Sequence, residues 1–147
     1  NCYIRTSIIV GFPGETDEHF NNLYEFTKRT RFDRMGVFTY SQEEGTAAAD
    51  FADQVAEDIK AERYDKLMSL QQEISLELNR AKIGTTLEVI VEGYDEDNYL
   101  FYGRSRGDSI DVDGKVYLGT EDEVMPGDII NVKILDASEY DLTGQRV

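Results

Sequence analysis

The chain has 147 residues, of which 40% are hydrophobic, and this is enough to bury the core of one ordinary domain or of two small ones. Its 30 acidic and 15 basic residues give a net charge of −15, which favours basic partners over nucleic acid, although the same charge would also serve solubility alone. The single cysteine excludes a disulfide framework and a multi-cysteine metal site. The sequence has no long apolar run and no basic-then-apolar leader, so we expect a cytoplasmic protein with no membrane partner.

The first predicted module is a strand, a helix and a second strand. Residues 3–10 are rich in β-branched side chains and predict a buried strand, which a turn at residues 11–14 ends. Thr16 is a suitable N-terminal cap for the helix that follows, and residues 34–40 predict the second strand, parallel to the first. The turn and the loop over residues 41–52 both follow carboxyl ends of strands, where α/β proteins place ligand sites.

A long helix is predicted over residues 55–83, because apolar side chains recur at helical spacing and neither glycine nor proline interrupts them. We expect it to join the first module to the second. The predicted polar face includes Lys60 and Asn79. The predicted apolar stripe includes Ile59, Leu67, Leu70, Ile74, Leu78, Ala81 and Ile83.

Beyond residue 83 the apolar period becomes two, which predicts short strands. We expect five of them, near residues 87–92, 99–104, 115–118, 130–134 and 140–147. Five short strands separated by polar turns indicate a small barrel of the OB-like type. Residues 84–147 contain 15 acidic and 5 basic residues, a net charge of −10.

Several motifs carry a family resemblance. The run Gly11-Phe12-Pro13-Gly14-Glu15-Thr16, followed by Tyr40-Ser41 and Glu44-Gly45-Thr46, resembles bacterial radical S-adenosylmethionine methylthiotransferases. Pro126-Gly127-Asp128 and Gly103-Arg104-Ser105 are similar to the TRAM domain that ends those enzymes. The resemblance covers almost the whole chain. It implies an α/β plus all-β fold, in which residues 1–83 are the last βα portion of the radical barrel with a linking helix, and residues 84–147 are a five-stranded TRAM barrel.

Two branches of that family differ in substrate. Residues 110–114 and 138–144 resemble the branch that methylthiolates an aspartate of a small-subunit ribosomal protein, which implies a basic protein partner. Ser109-Ile110 departs from the Ala-Pro that is common in that branch. The alternatives are the branch that modifies a tRNA adenosine and a free-standing TRAM-type binding module, but the acidic barrel makes a nucleic-acid partner the weaker expectation.

The resemblance also implies cofactors, which are S-adenosylmethionine and two 4Fe–4S clusters in the parent enzyme, each cluster held by three cysteines. Cys2 by itself cannot supply those ligands. We therefore expect a C-terminal fragment that has no metal-ligating or catalytic residue and is inactive alone.

The resemblance implies that one group of residues binds the cofactor: Gly11, Phe12, Pro13, Gly14, Glu15, Tyr40 and Ser41. Glu15 has an equally good interpretation as an acid in the first turn of the helix. Tyr40 and Ser41 have a simpler interpretation as a core tyrosine and a turn serine.

A second group is predicted to bind the protein substrate: Tyr94, Tyr102, Asp111, Asp113, Glu121, Asp122 and Glu123. The tyrosines could instead stack nucleobases or simply pack. The acidic residues could instead form solvated loop tips.

Overall fold

A computed structural model describes residues 2–119 and 123–147 of the chain. They divide into two compact units, the first ending at Ile74 and the second beginning at Ser75. The elements are β1 (Arg5–Val10), α1 (Asp17–Thr30), β2 (Arg34–Thr39), a 3-10 helix (Ala47–Asp50), α2 (Glu57–Arg80), β3 (Thr86–Asp95), β4 (Leu100–Ser105), β5 (Val116–Leu118), β6 (Ile129–Ala137) and β7 (Leu142–Arg146). A domain boundary at residues 83/84 stays a prediction.

In the first unit, β1 and β2 are parallel neighbours, as predicted, with Arg5 opposite Arg34 and Val10 opposite Thr39. Thr16 caps α1 by accepting a hydrogen bond from the backbone N–H of His19 at 3.2 Å. His19 Nδ1 accepts one in return from the backbone N–H of Thr16 at 3.3 Å. This reciprocal cap fixes where the helix begins after the turn. The core of the unit consists of Val10, Phe20, Phe32, Met35, Val37 and Leu67.

The long helix is confirmed as α2, but the prediction was wrong about two polar residues and about both ends of the apolar stripe. Lys60 and Asn79, expected on the polar face, are buried, and Ile59, expected in the apolar stripe, is exposed. Lys60 is buried because its ammonium group donates to the carbonyl of Tyr40, and Asn79 because its amide donates to the carbonyl of Ser138. A polar side chain that satisfies its hydrogen bonds can occupy the inner face of a helix.

The middle of the stripe follows the prediction, whereas Ala81 and Ile83, expected at its end, lie beyond the helix and are exposed. Leu67, Leu70 and Ile74 are buried and Leu78 is half-buried. The helix ends at Arg80 rather than at residue 83, and a turn that includes Gly84 at φ 83° follows it. No helix within residues 2–119 and 123–147 is long and apolar enough to cross a membrane.

The second unit contains a closed five-stranded barrel in the order β3-β4-β5-β7-β6, which confirms the predicted fold class. Neighbouring strands are antiparallel except for β5 and β7, which are parallel. Alternating apolar residues of the strands point inward and form the core together with Val124, which precedes β6. The strand residues of the core are Val89, Val91, Val116, Leu118, Ile130, Val132, Ile134 and Leu142. Each described strand of the barrel is therefore paired on both sides.

Candidate functional sites

The turn after β1 has the backbone shape that its glycines permit. Gly11 and Gly14 have φ values of 75° and 82°, which favour residues without a Cβ. A Cβ on Gly11 would also overlap the aliphatic chain of Lys60. The backbone N–H of Gly14 donates to the carbonyl of Asp53 at 2.8 Å, so the turn is tied to the segment that precedes α2.

Glu15 lies under this turn in a buried ion pair. Its carboxylate accepts hydrogen bonds from the backbone N–H of Gly11 at 2.9 Å and from Nη1 of Arg63 at 2.7 Å. The side chains of Arg63 and Glu15 are 6% and 12% exposed, and Nη2 of Arg63 reaches the exposed Asp17 at 2.8 Å. The carboxylate therefore holds the turn in shape from within the protein.

Lys60 makes the matching contact at the end of β2. Its ammonium group donates to the carbonyl of Tyr40 at 3.1 Å and to Glu57 at 2.6 Å, and it lies 5.3 Å from the centre of the Tyr40 ring. Sequence reasoning missed Lys60 and Arg63 as parts of this site. Their spacing could have indicated burial, because residues 60, 63, 67, 70 and 74 lie on one face of the helix.

An aromatic surface lies beside the turn. Phe12 is exposed and packs edge-on against Tyr40 at 5.3 Å and against Phe51 at 6.3 Å between ring centres. The Tyr40 hydroxyl is buried and has no hydrogen-bond partner among the described residues. Pro13 is buried, whereas Ser41 is exposed and its hydroxyl donates to Glu43 at 2.6 Å. Phe12 and Tyr40 are thus brought together, and Ser41 belongs to the following loop.

These features fit one of the implied cofactors and not the others. An exposed aromatic ring beside an unsatisfied buried hydroxyl suits a ligand with a flat base and hydrogen-bonding groups, such as S-adenosylmethionine. The described residues contain no group of His, Cys, Asp or Glu that could hold a metal ion, and Cys2 is an exposed free thiol. The chain's own donors therefore do not fit an iron–sulfur cluster.

On the barrel, the predicted tyrosines do not share one face. The register places Tyr94 opposite Phe101 and Gly93 opposite Tyr102, and successive residues of a strand point to opposite faces. Tyr94 packs edge-on against Phe101 at 5.0 Å, while the ammonium group of Lys115 lies 4.0 Å from the centre of the Tyr102 ring.

Among the predicted acidic residues that the structure describes, Asp111 and Asp113 share one loop and Glu123 lies in another. Asp111 is exposed at φ 57°, and Asp113 accepts a hydrogen bond from the backbone N–H of Ser109 at 2.6 Å. Glu123 is exposed, and its carbonyl accepts from Arg146 at 3.1 Å. Glu121 and Asp122 lie outside the described residues.

Asp95 organises the turn between β3 and β4. Its carboxylate accepts hydrogen bonds from the side chain of Asn98 at 2.9 Å and from the backbone N–H groups of Asn98 and Asp97 at 3.1 Å each. These bonds, the side-chain bond from Asn98 foremost, hold the pKa of Asp95 below its ordinary value.

Comparisons with known proteins match both units. Residues 83–147 match the family model described as the TRAM domain. Proteins named ribosomal protein uS12 methylthiotransferase RimO are 53% identical over 145 residues in Pelobacter propionicus, 51% over 143 in Geobacter sulfurreducens and 47% over 142 in Caldanaerobacter subterraneus subsp. tengcongensis. Each match covers 97% of this chain but 32% of the relative. These matches confirm the resemblance drawn from the motifs, and the chain spans about a third of the length of the curated relatives it matches.

Proposed function

We propose that this chain, whose residues 83–147 form a TRAM domain, is the TRAM-bearing part of a methylthiotransferase that modifies an aspartate of a small-subunit ribosomal protein. The observation that carries the proposal is the identity of 47% to 53% over 97% of the chain with proteins named for uS12. The chain accounts for about a third of those relatives, so the activity belongs to the whole protein. The chain by itself should be inactive.

The barrel is proposed to recruit the protein substrate. Its net charge of −10 creates a field that speeds encounter with a Lys- and Arg-rich protein and opposes the approach of phosphate. This field affects the association rate and the choice of partner more than the affinity. Because salt screens the field, added salt should slow association with the basic partner.

The strand–helix–strand unit is proposed to form part of the cofactor site. Phe12 would pack against the adenine of S-adenosylmethionine, and the Tyr40 hydroxyl would gain a hydrogen-bond partner from it. Gly11 and Gly14 would let the backbone approach closely, with Glu15, Arg63 and Lys60 fixing its shape from behind. S-adenosylmethionine and the two 4Fe–4S clusters of the parent enzyme would supply the radical chemistry.

A tRNA-modifying function is the second candidate, and one observation favours it. Tyr102 has the ammonium group of Lys115 over its ring and Arg104 two residues along the strand, an aromatic and basic combination that single-stranded nucleic-acid sites use. Arg104, however, is paired with Glu92 at 2.6 Å, which reduces the positive charge available to phosphate.

The experiment that separates the two candidates is a titration of the 147-residue chain with uS12 and with tRNA at low and high salt. We expect binding to uS12 that is tighter at low salt, and tRNA binding at least tenfold weaker. Tight, salt-sensitive tRNA binding without uS12 binding would contradict the proposal and favour the tRNA-modifying function.

A further inference from the structure

Two loops of the barrel unit, residues 109–114 and residues 138–141, lie against each other and are called here the loop pair. The backbone N–H of Lys115, at the end of the first loop, donates to the Asp141 carboxylate at 2.7 Å, and the N–H of Leu142 donates to the carbonyl of Lys115 at 2.9 Å. A Cβ on Gly114 would overlap the carbonyl of Tyr140. The two loops therefore form one continuous surface.

Hydrogen bonds within each loop hold the backbone of the loop pair in shape. In the first loop, Asp113 accepts from the N–H of Ser109 and donates its own N–H to the Ser109 carbonyl at 3.3 Å. In the second, the N–H of Ser138 donates to the carbonyl of Asp141 at 2.8 Å, and the Ser138 hydroxyl accepts from the N–H of Asp141 at 2.9 Å. A surface ordered before binding loses little conformational entropy when a partner arrives.

A buried asparagine near the end of α2 forms hydrogen bonds with the backbone of the second loop. The side-chain amide of Asn79 donates to the carbonyls of Ser138 and Glu139 at 3.1 and 3.3 Å, and its oxygen accepts from Lys82 at 3.0 Å. Asn79 is fully buried. The end of α2 thus fixes the position of the backbone just before Tyr140.

This surface exposes large apolar side chains. Ile110 is 57% exposed, Val112 is 72% exposed and Tyr140 is 53% exposed. Asp111, between the first two, is held at φ 57°, a conformation that a residue with a side chain adopts at a cost. Apolar side chains displayed on an ordered surface and bordered by polar groups are typical of a protein–protein contact.

The charge of the loop pair is of one sign. Residues 109–114 and 138–141 contain four acidic residues, Asp111, Asp113, Glu139 and Asp141, and no basic residue. Lys115, the nearest base along the chain, has its ammonium group over the Tyr102 ring. The surface therefore combines exposed apolar side chains with acidic residues that lie next to them in the chain.

We infer that the loop pair is the docking surface for a segment of the protein substrate that carries apolar side chains flanked by lysine or arginine. The inference rests on the proposed function and specifies where on the barrel recruitment takes place. The apolar side chains would supply most of the affinity by burial, and the adjacent acidic residues would select a basic partner and speed its approach.

The test titrates uS12 against the full 147-residue chain and two pairs of variants, each checked for an unchanged melting curve. Ile110→Ser with Val112→Ser should weaken uS12 binding at least tenfold at both low and high salt, because apolar burial is lost. Asp111→Asn with Glu139→Gln should weaken it several-fold at low salt and much less at high salt, since asparagine tolerates the same backbone conformation.

The matched control is Ile129→Ser with Leu135→Ser, which removes two exposed apolar side chains from β6 and should leave affinity within twofold. If the unaltered chain binds uS12 but the loop-pair variants bind equally well, or no worse than the control, the docking surface is wrong and the proposed function stands. If the unaltered chain does not bind uS12, both fail. Loss of tRNA binding in the loop-pair variants would also contradict the inference.

Discussion

Arg63 shows how one residue of α2 can control a turn more than 40 positions earlier in the chain. Its guanidinium group bonds the carboxylate and the carbonyl of Glu15, and that carboxylate also receives the backbone N–H of Gly11. Removing one partner of a buried ion pair leaves the other charge without compensation, which costs much more than the net value of the intact pair.

We expect Arg63→Ala to lower the free energy of unfolding by ~3–5 kcal/mol. Lys66→Ala is the control on the same helix, because Lys66 and Glu62 form an exposed pair whose loss should cost ~0–1 kcal/mol. Urea unfolding followed by circular dichroism measures both. Equal midpoints for the two variants would show that the buried pair does not stabilise the turn.

Asp95 gives a prediction about pH. Since its pKa is lowered in the folded state, its contribution to stability is present above the unfolded-state pKa of ~3.9 and is lost as the pH falls through the lower folded-state pKa. Asn98→Ala removes the largest cause, so the pKa of Asp95 should rise toward its ordinary value in an NMR titration of the carboxyl carbon. Asn131→Ala on β6 should leave that pKa unchanged. An unmoved pKa in Asn98→Ala would refute the assigned cause.

At the scale of elements, the sequence predicts the order and type of the helices and strands because their apolar periods are clear. It does not predict which polar residues are buried. Lys60 is charged and Asn79 is polar, so both would be expected at the surface. The carbonyl groups that accept their hydrogen bonds belong to Tyr40 and Ser138, which are distant along the chain. The parallel pairing of β5 with β7 is also set by barrel closure and not by any local pattern. Arg63 and Lys60 share the helical spacing of the buried stripe, but their charge argued against burial, so both were missed at the predicted cofactor site.

The assignment of the buried face of α2 can be tested by shortening one side chain on that face and one on the exposed face. Leu70 is 6% exposed, so Leu70→Ala should cost ~2–5 kcal/mol through lost burial and a residual cavity. Ile59 is 40% exposed on the same helix, and Ile59→Ala should cost ~1 kcal/mol or less. Thermal melts report the difference. A Leu70→Ala melting temperature equal to that of Ile59→Ala would mean that the buried face is assigned wrongly.

For the whole molecule, we propose different roles for residues 1–83 and residues 84–147, which also differ in net charge. Residues 1–83 carry a net charge of −5, from 15 acidic and 10 basic residues, and contain the turn and aromatic surface proposed for the cofactor. Residues 84–147 carry −10 and contain the loop pair. The proposed radical chemistry would need cluster ligands that this chain, with Cys2 as its one cysteine, does not supply.

If the proposed function is right, this chain can serve as the TRAM-bearing part of a uS12 methylthiotransferase. The most direct measurement replaces the matching third of the Pelobacter propionicus relative with this chain and examines uS12 and tRNA by mass spectrometry after reaction with S-adenosylmethionine. The unaltered relative is the positive control, and a version that ends before the barrel is the negative one. We predict methylthiolated uS12 and unmodified tRNA. A folded chimera that carries its clusters and cleaves S-adenosylmethionine, yet leaves uS12 unmodified, would contradict the claim.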